Sequence, residues 1–310
     1  MTTTANERLS FDGRVAIITG AGRGIGRAQA LALARRGALV VVNDLGGDVT
    51  GGGQSATPAH EVVKEIEALG GRAVADTHDM GVEASVRELV ERTAADLGRV
   101  DIIIHNAGVA ASSWNRTVEV HLSGAFWLCE TAWPIFQAQQ YGRVLLTSSG
   151  AGLFGAKPAL AAGLDYYAYG SAKMGIVGLT RNLAIEGSKA NIKVNAIAPV
   201  AWSRMMATHP DPAILEWFRK NFPSEYIAEA AACLVHERCP SNGDTYTVGG
   251  GRMAKILISQ TRGHIDRALS AESLLASFDR VMNADEVFTP RHINAEMSLY
   301  ARLCDMPGPY

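Results

Sequence analysis

The sequence feature that most constrains the fold is an apolar run that leads directly into a glycine-rich turn. Residues 14–19 read RVAIIT, and Gly20, Gly24 and Gly26 follow in a turn that opens a helical pattern over about 24–36. In such a strand–turn–helix unit, the glycines let the chain turn tightly and approach a ligand closely. The helix amino terminus also presents unpaired N–H groups suited to a pyrophosphate. We therefore predict a nucleotide site here, with an ordinary glycine-rich turn as the alternative.

Six further apolar runs follow, and helical patterns separate them. They are residues 38–44, 72–77, 99–108, 142–149, 191–199 and 244–250. Strands that are apolar along their whole length, with helices between them, are typical of a parallel sheet covered on both faces. The predicted fold class is therefore α/β, with a doubly wound parallel sheet of the Rossmann type.

The chain is expected to form a single domain, residues 1–310, with a helical extension at its C-terminal end. All seven predicted strands fall within a core of residues 11–251, and no Pro/Ser-rich linker divides the sequence. Residues 252–310 show a helical pattern near 266–282 and few long apolar runs. The stretch 46–53, GGDVTGGG, is predicted to be a mobile loop between a strand and a helix.

Composition argues against several classes of partner. The net charge is −2, and no basic run with interleaved aromatic residues suggests nucleic acid. No window approaches the roughly 18 apolar residues needed to span a bilayer, so no membrane partner is expected. The first ten residues are polar, unlike a signal peptide, and the four cysteines lack the spacing of a metal site. We expect a cytoplasmic protein that acts on a small-molecule substrate and binds no metal.

The identity of the cofactor is predicted from an acidic residue. Asp44 ends the second predicted strand, 18 residues beyond Gly26. A carboxylate there can accept hydrogen bonds from the adenosine ribose diol and would repel a 2′-phosphate, which favours NAD over NADP. Arg23 argues weakly for NADP, because a guanidinium could bind that phosphate. We expect Asp44 to dominate, with a solvated loop acid as the alternative.

Four motifs together resemble the short-chain dehydrogenase/reductase family. They are T-G-x-x-x-G-I-G at 19–26, HNAG at 105–108, TSS at 147–149 and Y-x-x-x-K at 169–173. The resemblance covers about residues 11–251, and segments such as NDLGGD and NAIAPVAWSRM are similar to its (3R)-hydroxyacyl-CoA dehydrogenase and hydroxysteroid dehydrogenase branch. It implies a Rossmann-type enzyme that interconverts a secondary alcohol and a ketone with a nicotinamide cofactor.

Three tyrosines crowd into four positions, but one has a lysine on the same helical face. Lys173 follows Tyr169 by four residues, whereas Gly170 and Ser171 stand at that spacing from Tyr166 and Tyr167. A phenol with a pKa near 10 is a poor base at neutral pH. A nearby ammonium and an oxidised nicotinamide would lower the pKa of Tyr169 by favouring phenolate.

The resemblance implies the catalytic roles. Tyr169 takes the alcohol proton, Lys173 also holds the nicotinamide ribose, and Ser149 steadies the substrate oxygen. The alternative to these catalytic roles is a tyrosine that only packs in the structure and is followed by a lysine by coincidence. A non-catalytic NAD-binding regulator is the alternative of another class, and such a regulator would need no proton donor.

The resemblance also implies a set of cofactor-binding residues. They are Gly20, Arg23, Gly24, Ile25, Gly26, Asp44, Asp79, Met80, Asn106, Ala107, Gly108, Tyr169, Lys173, Pro199, Val200 and Ser203. Asp79 as a simple loop acid is nearly as good an interpretation. His121 stands where many members have an asparagine that relays protons through water, and a helix histidine facing the core fits equally well.

Two segments depart from the family pattern. Only twelve residues separate Gly108 from His121, fewer than usual, and 19 separate Ser149 from Tyr169, more than usual. Both segments line the substrate cleft in the family, so the substrate half is expected to be rebuilt. We expect the insertion at 150–168 to fold over the space left by the shortened segment, with a subunit contact as the alternative.

The expected substrate is a 3-hydroxyacyl-CoA or a steroid-like alcohol. The apolar insertion and a flexible lid at 201–218 suit a hydrophobic ligand. Four basic residues could bind CoA phosphates or form a solvated face, namely Arg252, Lys255, Arg262 and Arg267. The resemblance implies a homodimer or homotetramer through helices that begin near 117 and 169. A peroxisomal location is not expected, because the sequence ends in MPGPY instead of an S-K-L signal.

Overall fold

The central feature of the fold is an eight-stranded sheet with the order β3-β2-β1-β4-β5-β6-β7-β8. The structure is a computed structural model that describes residues 8–306 except 51, 111–112, 157–165 and 205. The strands are β1 (Val15–Thr19), β2 (Leu39–Asn43), β3 (Arg72–Asp76), β4 (Ile102–His105), β5 (Gly142–Thr147), β6 (Ile192–Pro199), β7 (Thr245–Gly249) and β8 (Arg252–Ile256). The pairs from β3 through β7 are parallel. Because the strand order reverses between β1 and β4, a ligand crevice is expected at their carboxyl ends.

Helices cover both faces of this sheet. They are α1 (Gly24–Ala34), α2 (Thr57–Ala68), α3 (Glu83–Leu97), α4 (Trp114–Val118), α5 (Gly124–Gln139), α6 (Gly150–Phe154), α7 (Tyr166–Gly187), α8 (Pro212–Asn221) and α9 (Ser224–Val235). A π-helical turn, Glu119–Ser123, joins α4 to α5, and short 3-10 turns lie at Ser188–Ala190 and Met206–Thr208. None of the described helices is long and apolar enough to cross a membrane.

Two apolar cores explain why the strands read as continuous apolar runs. In β1, Ala16 and Ile18 pack into one core, whereas Val15 and Ile17 pack into the core on the opposite face. Helices α1 and α9 pack together, as do α3 and α5. Since successive side chains of a strand point to opposite faces, a sheet covered on both sides requires apolar residues at every position. The doubly wound parallel fold is therefore confirmed.

All seven predicted strands are present, and β8 was missed. Its side chains are half-buried or exposed and include Arg252 and Lys255. It lies at the edge of the sheet next to β7, and within the described part of the chain no strand pairs with its other side. Such a strand keeps charged side chains and carries no apolar run, so the signal that identified the others is absent from it.

The residues from Ile256 onward form a compact unit of their own. Its described elements are β9 (Gln260–Thr261), α10 (Ala271–Ala276), α11 (Phe278–Met282), β10 (Val287–Phe288) and α12 (Ile293–Leu303), with β9 and β10 antiparallel. The helical pattern near 266–282 corresponds to α10 and α11, whereas the strand pair and α12 were not predicted. That this unit extends a single domain stays a prediction.

Three of the four basic residues considered for CoA phosphates already have partners. Lys255 lies 2.8 Å from Asp244, and Arg262 lies 3.0 Å from Glu286. Arg267 donates to the carbonyl oxygen of Cys304 at 2.7 Å. These contacts favour the interpretation of a solvated, internally paired face.

Candidate active site

A cleft of about 570 Å³ contains every predicted site residue except Gly26. The predicted residues that line it are Gly20, Arg23, Gly24, Ile25, Asp44, Asp79, Met80, Asn106, Ala107, Gly108, Ser149, Tyr169, Lys173, Pro199, Val200 and Ser203. They lie mainly in segments that follow the carboxyl ends of strands, where a doubly wound sheet binds its ligands.

The glycine turn has the backbone that its sequence predicts. Gly20 and Gly24 have φ of +62° and +52°, a region that side chains disfavour. A Cβ on Gly20 would lie 2.8 Å from the Cα of Ala107, whereas the Cβ position of Gly24 has nothing within 4 Å. A Cβ on Gly26 would lie 2.2 Å from the carbonyl oxygen of Gly20. Gly26 therefore allows the helix and turn to pack, which explains why it does not line the cleft.

Asp44 is held by the backbone around it. Its carboxylate accepts hydrogen bonds from the N–H of Gly22 at 2.8 Å and from the N–H of Gly46 at 2.7 Å. The residue is 7% exposed and lines the cleft. A Cβ on Gly22 would lie 2.7 Å from the Asp44 Oδ2, so this contact requires a glycine at position 22. Asp44 is therefore oriented before any ligand binds.

A second acid of the cleft has a partner that the sequence did not reveal. Arg116 of α4 donates to both carboxylate oxygens of Asp79, at 2.8 and 2.9 Å. The Oδ1 of Asp79 also accepts from the N–H of Gly81 at 2.8 Å. Arg116 lines the cleft, as does the buried Met80. Asp79 is therefore held in place by these contacts, and both interpretations of its role remain open.

The HNAG segment ties β4 to the glycine turn. The side-chain amide of Asn106 donates to the carbonyl oxygens of Thr19 and Gly20, at 3.2 and 3.1 Å. The N–H of Ala107 donates to Thr19 Oγ1 at 3.0 Å. A Cβ on Gly108 would lie 2.4 Å from the His121 ring, so only glycine allows this approach. Asn106 thus supports the turn, and it also lines the cleft beside it.

Ser149, Tyr169 and Lys173 meet at the centre of the cleft. Ser149 is close enough to the Tyr169 hydroxyl to act on its pKa, and both residues line the cleft. Lys173 is 2% exposed, donates to the carbonyl oxygen of Thr147 at 2.6 Å, and lies 5.7 Å from the centre of the Tyr169 ring. Tyr167, by contrast, is 87% exposed and does not line the cleft.

Within the protein alone, burial raises the pKa of the Tyr169 hydroxyl, and Ser149 opposes this shift. That the pKa falls when an oxidised nicotinamide is also present stays a prediction. Burial also lowers the pKa of Lys173 to about 7. The cost of burying each charge therefore dominates when only the protein surrounds the two groups.

His121 lies where the core meets the cleft, and a proton-relay role for it stays a prediction. It is 1% exposed, yet it lines the cleft and packs edge-on against the Tyr169 ring, with ring centres 5.2 Å apart. Its Nε2 lies 2.9 Å from the carbonyl oxygen of Val109, and its buried Nδ1 has no hydrogen-bond partner among the described residues. Burial, with the charge of Lys173, holds the pKa of His121 well below its usual value, so the ring is neutral.

The substrate side of the cleft is built from the segments that depart from the family pattern. Its lining includes Val109 and Ala110 from the shortened segment, and Phe218 from the expected lid. Phe154 and Tyr166 line it from either side of residues 157–165, which lie outside the described residues. The predicted path of the 150–168 insertion across the cleft therefore stays a prediction.

Comparisons with known proteins agree with this geometry. A family model described as short chain dehydrogenase matches residues 14–212. The chain is 40% identical over 299 residues to peroxisomal multifunctional enzyme type 2 of Mus musculus, covering 92% of this chain and 39% of the mouse protein. The chain thus belongs to the short-chain dehydrogenase/reductase family, and the resemblance drawn from its motifs is confirmed. It is an oxidoreductase of a fold that binds a nicotinamide cofactor.

Two solved structures are similar to the chain. Full-length peroxisomal multifunctional enzyme type 2 from Drosophila melanogaster has a TM-score of 0.75 and 29% identity, covering 96% of this chain and 50% of that one. A 7α-hydroxysteroid dehydrogenase complexed with NADH and 7-oxo glycochenodeoxycholic acid has a TM-score of 0.67 and 30% identity, covering 78% of this chain and 95% of that one. The chain therefore spans about half or less of the multifunctional relatives and nearly all of the smaller dehydrogenase.

The cleft fits a dinucleotide on its own geometry. The space beside Gly24 is open, and α1 begins there with no acidic residue in its first turn, so its N–H groups can meet an anion. The oriented carboxylate of Asp44 lies in the same cleft. These groups provide one site for phosphates and one acceptor for a ribose diol.

Proposed function

We propose that the protein is an NAD-dependent dehydrogenase that interconverts a secondary alcohol and a ketone, and that its substrate is a 3-hydroxyacyl-CoA. The observation that carries this proposal is the meeting of Ser149, Tyr169 and buried Lys173 in one cleft with Asp44. Asp44 supports the choice of NAD over NADP, because its carboxylate opposes a 2′-phosphate. The NADH in the similar 7α-hydroxysteroid dehydrogenase supports the same choice.

In the proposed mechanism, the chain's own residues position the alcohol and move its proton. When bound, the nicotinamide cofactor accepts or donates the hydride. The Ser149 hydroxyl holds the substrate oxygen next to Tyr169, whose Oη takes the alcohol proton during oxidation and returns it during reduction. Lys173, oriented by the carbonyl oxygen of Thr147, stabilises the phenolate when its ammonium is charged. The remaining residues of the predicted cofactor set hold the dinucleotide.

A hydroxysteroid is the second candidate substrate. The similarity to the 7α-hydroxysteroid dehydrogenase favours it, and so does the apolar substrate wall, which includes Val109, Phe154 and Phe218. The (3R)-hydroxyacyl-CoA dehydrogenase branch of the family, which the motifs resemble, supports the first candidate. The same comparisons favour an enzyme over a non-catalytic NAD-binding regulator.

The test is a substrate screen by NADH production. The panel contains 3-hydroxyacyl-CoAs of several chain lengths and hydroxysteroids, each with NAD and with NADP. We expect the largest kcat/KM for a 3-hydroxyacyl-CoA with NAD. Turnover of the steroids alone would reject the proposed substrate, and NAD binding without any turnover would reject the dehydrogenase itself.

Assembly and location complete the proposal. We propose a homodimer or homotetramer through α5 and α7, on which Phe126, Met174 and Ile185 are exposed apolar side chains. Light scattering during gel filtration measures the mass directly. We also propose a cytoplasmic location, and the names of the multifunctional relatives suggest a peroxisomal alternative. Fluorescence microscopy of a tagged full-length chain distinguishes the two.

A further inference from the structure

The loop that follows β2 contacts both neighbouring walls of the cleft. The carbonyl oxygen of Val49 accepts a hydrogen bond from the N–H of Ala110 at 2.7 Å. The carbonyl oxygen of Gly47 accepts one from Arg204 Nη1 at 3.3 Å. Gly47 and Val49 themselves line the cleft. The loop therefore reaches from the segment after β4 to the segment after β6, and it covers part of the cleft between them.

Two arginines face this part of the cleft without a carboxylate partner. Arg23 precedes α1 and Arg204 follows β6, and both line the cleft. Among the described residues, neither guanidinium forms an ion pair, and the Gly47 carbonyl is the one hydrogen-bond partner of the Arg204 side chain. Most of the N–H donors on two planar guanidinium groups are therefore available to a ligand.

The hydrogen bonds of Asp44 place the two arginines in the same part of the cleft. Gly22, which precedes Arg23, and Gly46, which precedes the Arg204 partner Gly47, both donate to its carboxylate. Burial, and next the charge of Arg23, lower the pKa of Arg204, while Asp44 and Asp48 oppose this shift. Both acids already accept backbone N–H groups: Asp44 from Gly22 and Gly46, and Asp48 from Thr50. The acids attract Arg204 without forming an ion pair with it, so the repulsion between the guanidinium groups is only partly balanced.

We propose that Arg204 and Arg23 form a clamp that binds a phosphate group of the bound dinucleotide, with Arg204 held in place by the Gly47 carbonyl. The proposal rests on the proposed NAD-dependent function. An anion between two unpaired guanidinium groups relieves their repulsion and gains charge-assisted hydrogen bonds. The first N–H groups of α1, next to Arg23, face the same cleft and favour the same charge.

The phosphate could come from the cofactor or from an acyl-CoA substrate, and the geometry favours the cofactor. Asp44, the predicted ligand of the adenosine ribose, lies close enough to Arg204 to attract it. In a dinucleotide the pyrophosphate is joined to that ribose. The clamp is therefore placed where the pyrophosphate of the cofactor must pass.

The test compares ligands that differ in their phosphates. Isothermal titration calorimetry measures Kd for adenosine and for ADP-ribose on the wild type and on Arg204→Ala, Arg204→Lys and Arg23→Ala. We expect Arg204→Ala to weaken ADP-ribose binding about tenfold, the effect of losing one charge-assisted contact, and to leave adenosine binding within about twofold. Arg204→Lys keeps the positive charge but loses the planar guanidinium group. Its Kd for ADP-ribose should therefore lie between those of the wild type and Arg204→Ala.

A matched control uses an arginine from the same region. Arg219 of α8 is exposed, lies 3.4 Å from Glu216 and does not line the cleft. Arg219→Ala should bind both ligands as the wild type does. Circular dichroism and thermal unfolding check that each variant is folded.

Three outcomes would reject the clamp. Equal weakening of adenosine and ADP-ribose would mean that Arg204 acts only by ordering the loop. An unchanged Kd for ADP-ribose would mean that Arg204 touches no cofactor phosphate. If Arg204→Ala instead weakened coenzyme A binding to the NADH-saturated protein, the phosphate would belong to the substrate. Failure of the wild type to bind ADP-ribose at all would instead refute the proposed NAD-dependent function.

Discussion

The cofactor half and the substrate half of the cleft are built by different means. On the cofactor side, the backbone shapes the site. Gly20 and Gly24 adopt left-handed conformations, and two backbone N–H groups hold Asp44. On the substrate side, apolar side chains such as Val109 and Phe154 come from segments that differ in length from the family pattern. A ligand shared by a whole family favours fixed backbone geometry, whereas a ligand that changes between members favours replaceable side chains.

The largest effect is expected at the point where the two halves meet. Tyr169→Phe keeps the ring and removes the hydroxyl that lies beside Ser149 in the cleft. It should reduce kcat by about 10²- to 10⁴-fold, the usual contribution of a positioned proton donor, while leaving the Kd for NADH nearly unchanged. Stopped-flow turnover and fluorescence titration measure the two quantities.

The matched controls for this variant are the neighbouring tyrosines. Tyr167→Phe alters a side chain that is 87% exposed and should retain full activity. Tyr166→Phe should retain far more activity than Tyr169→Phe. Comparable losses in all three variants would contradict the assignment of the proton donor.

Lys173 should impose a pH dependence on the stability of the cofactor-free protein. Its pKa is about 7 in the folded state against 10.5 for the ordinary side chain, so between these values the unfolded chain binds more protons. The stability contributed by this group therefore rises with pH across that window, and the cost of burying its charge is fully present below about pH 7. Lys173→Met removes that cost.

Thermal or urea unfolding of wild type and Lys173→Met at pH 6 and pH 10 measures the effect. Relative to the wild type, the variant should be more stable at pH 6 than at pH 10, by on the order of a few kcal/mol. The comparison between the two pH values cancels any constant cost of leaving the Thr147 carbonyl oxygen without its donor. A difference that does not vary with pH would show that Lys173 titrates normally in the folded protein.

Asp44→Ala tests the cofactor half alone. Removing the carboxylate should lower the ratio of kcat/KM for NAD to that for NADP by about tenfold or more, chiefly by improving NADP. The rank order of substrates should not change, because Asp44 is placed on the cofactor side. If the wild type already prefers NADP, then Arg23 determines the cofactor preference and Asp44 does not bind the adenosine ribose.

The smallest effect is expected on the substrate half. Phe154→Ala shortens an apolar side chain of the substrate wall that is 74% exposed. It should raise KM for long-chain or steroid substrates about fivefold, given the apolar area lost, with Kd for NADH unchanged. Leu69→Ala, which changes another exposed apolar side chain that does not line the cleft, is the control. A shift in NADH affinity equal to the shift in KM would mean that the two halves are not separable.

What the sequence predicted well is what depends on neighbours along the chain. The strands, the glycine turn and the Tyr169–Lys173 pairing are local patterns, and the structure has them where they were expected. Arg116 and Arg204 were missed, because their partners Asp79 and Gly47 lie 37 and 157 residues away in the chain. The burial that raises the pKa of Tyr169 in the protein alone could not be predicted either, since burial is a property of the assembled cleft and not of the motif.

The two hydrogen bonds accepted by Asp44 have a consequence for the evolution of cofactor use. One carboxylate joins the glycine turn at Gly22 to the start of the following loop at Gly46, whose φ of +76° and close approach to Ser55 leave no room for a side chain. A single substitution of Asp44 that makes room for an additional phosphate therefore also removes both hydrogen bonds that join the turn to the loop. A lineage that adopts NADP from this starting point must pass through a less stable ancestor, or first acquire a second residue that holds the turn and loop together.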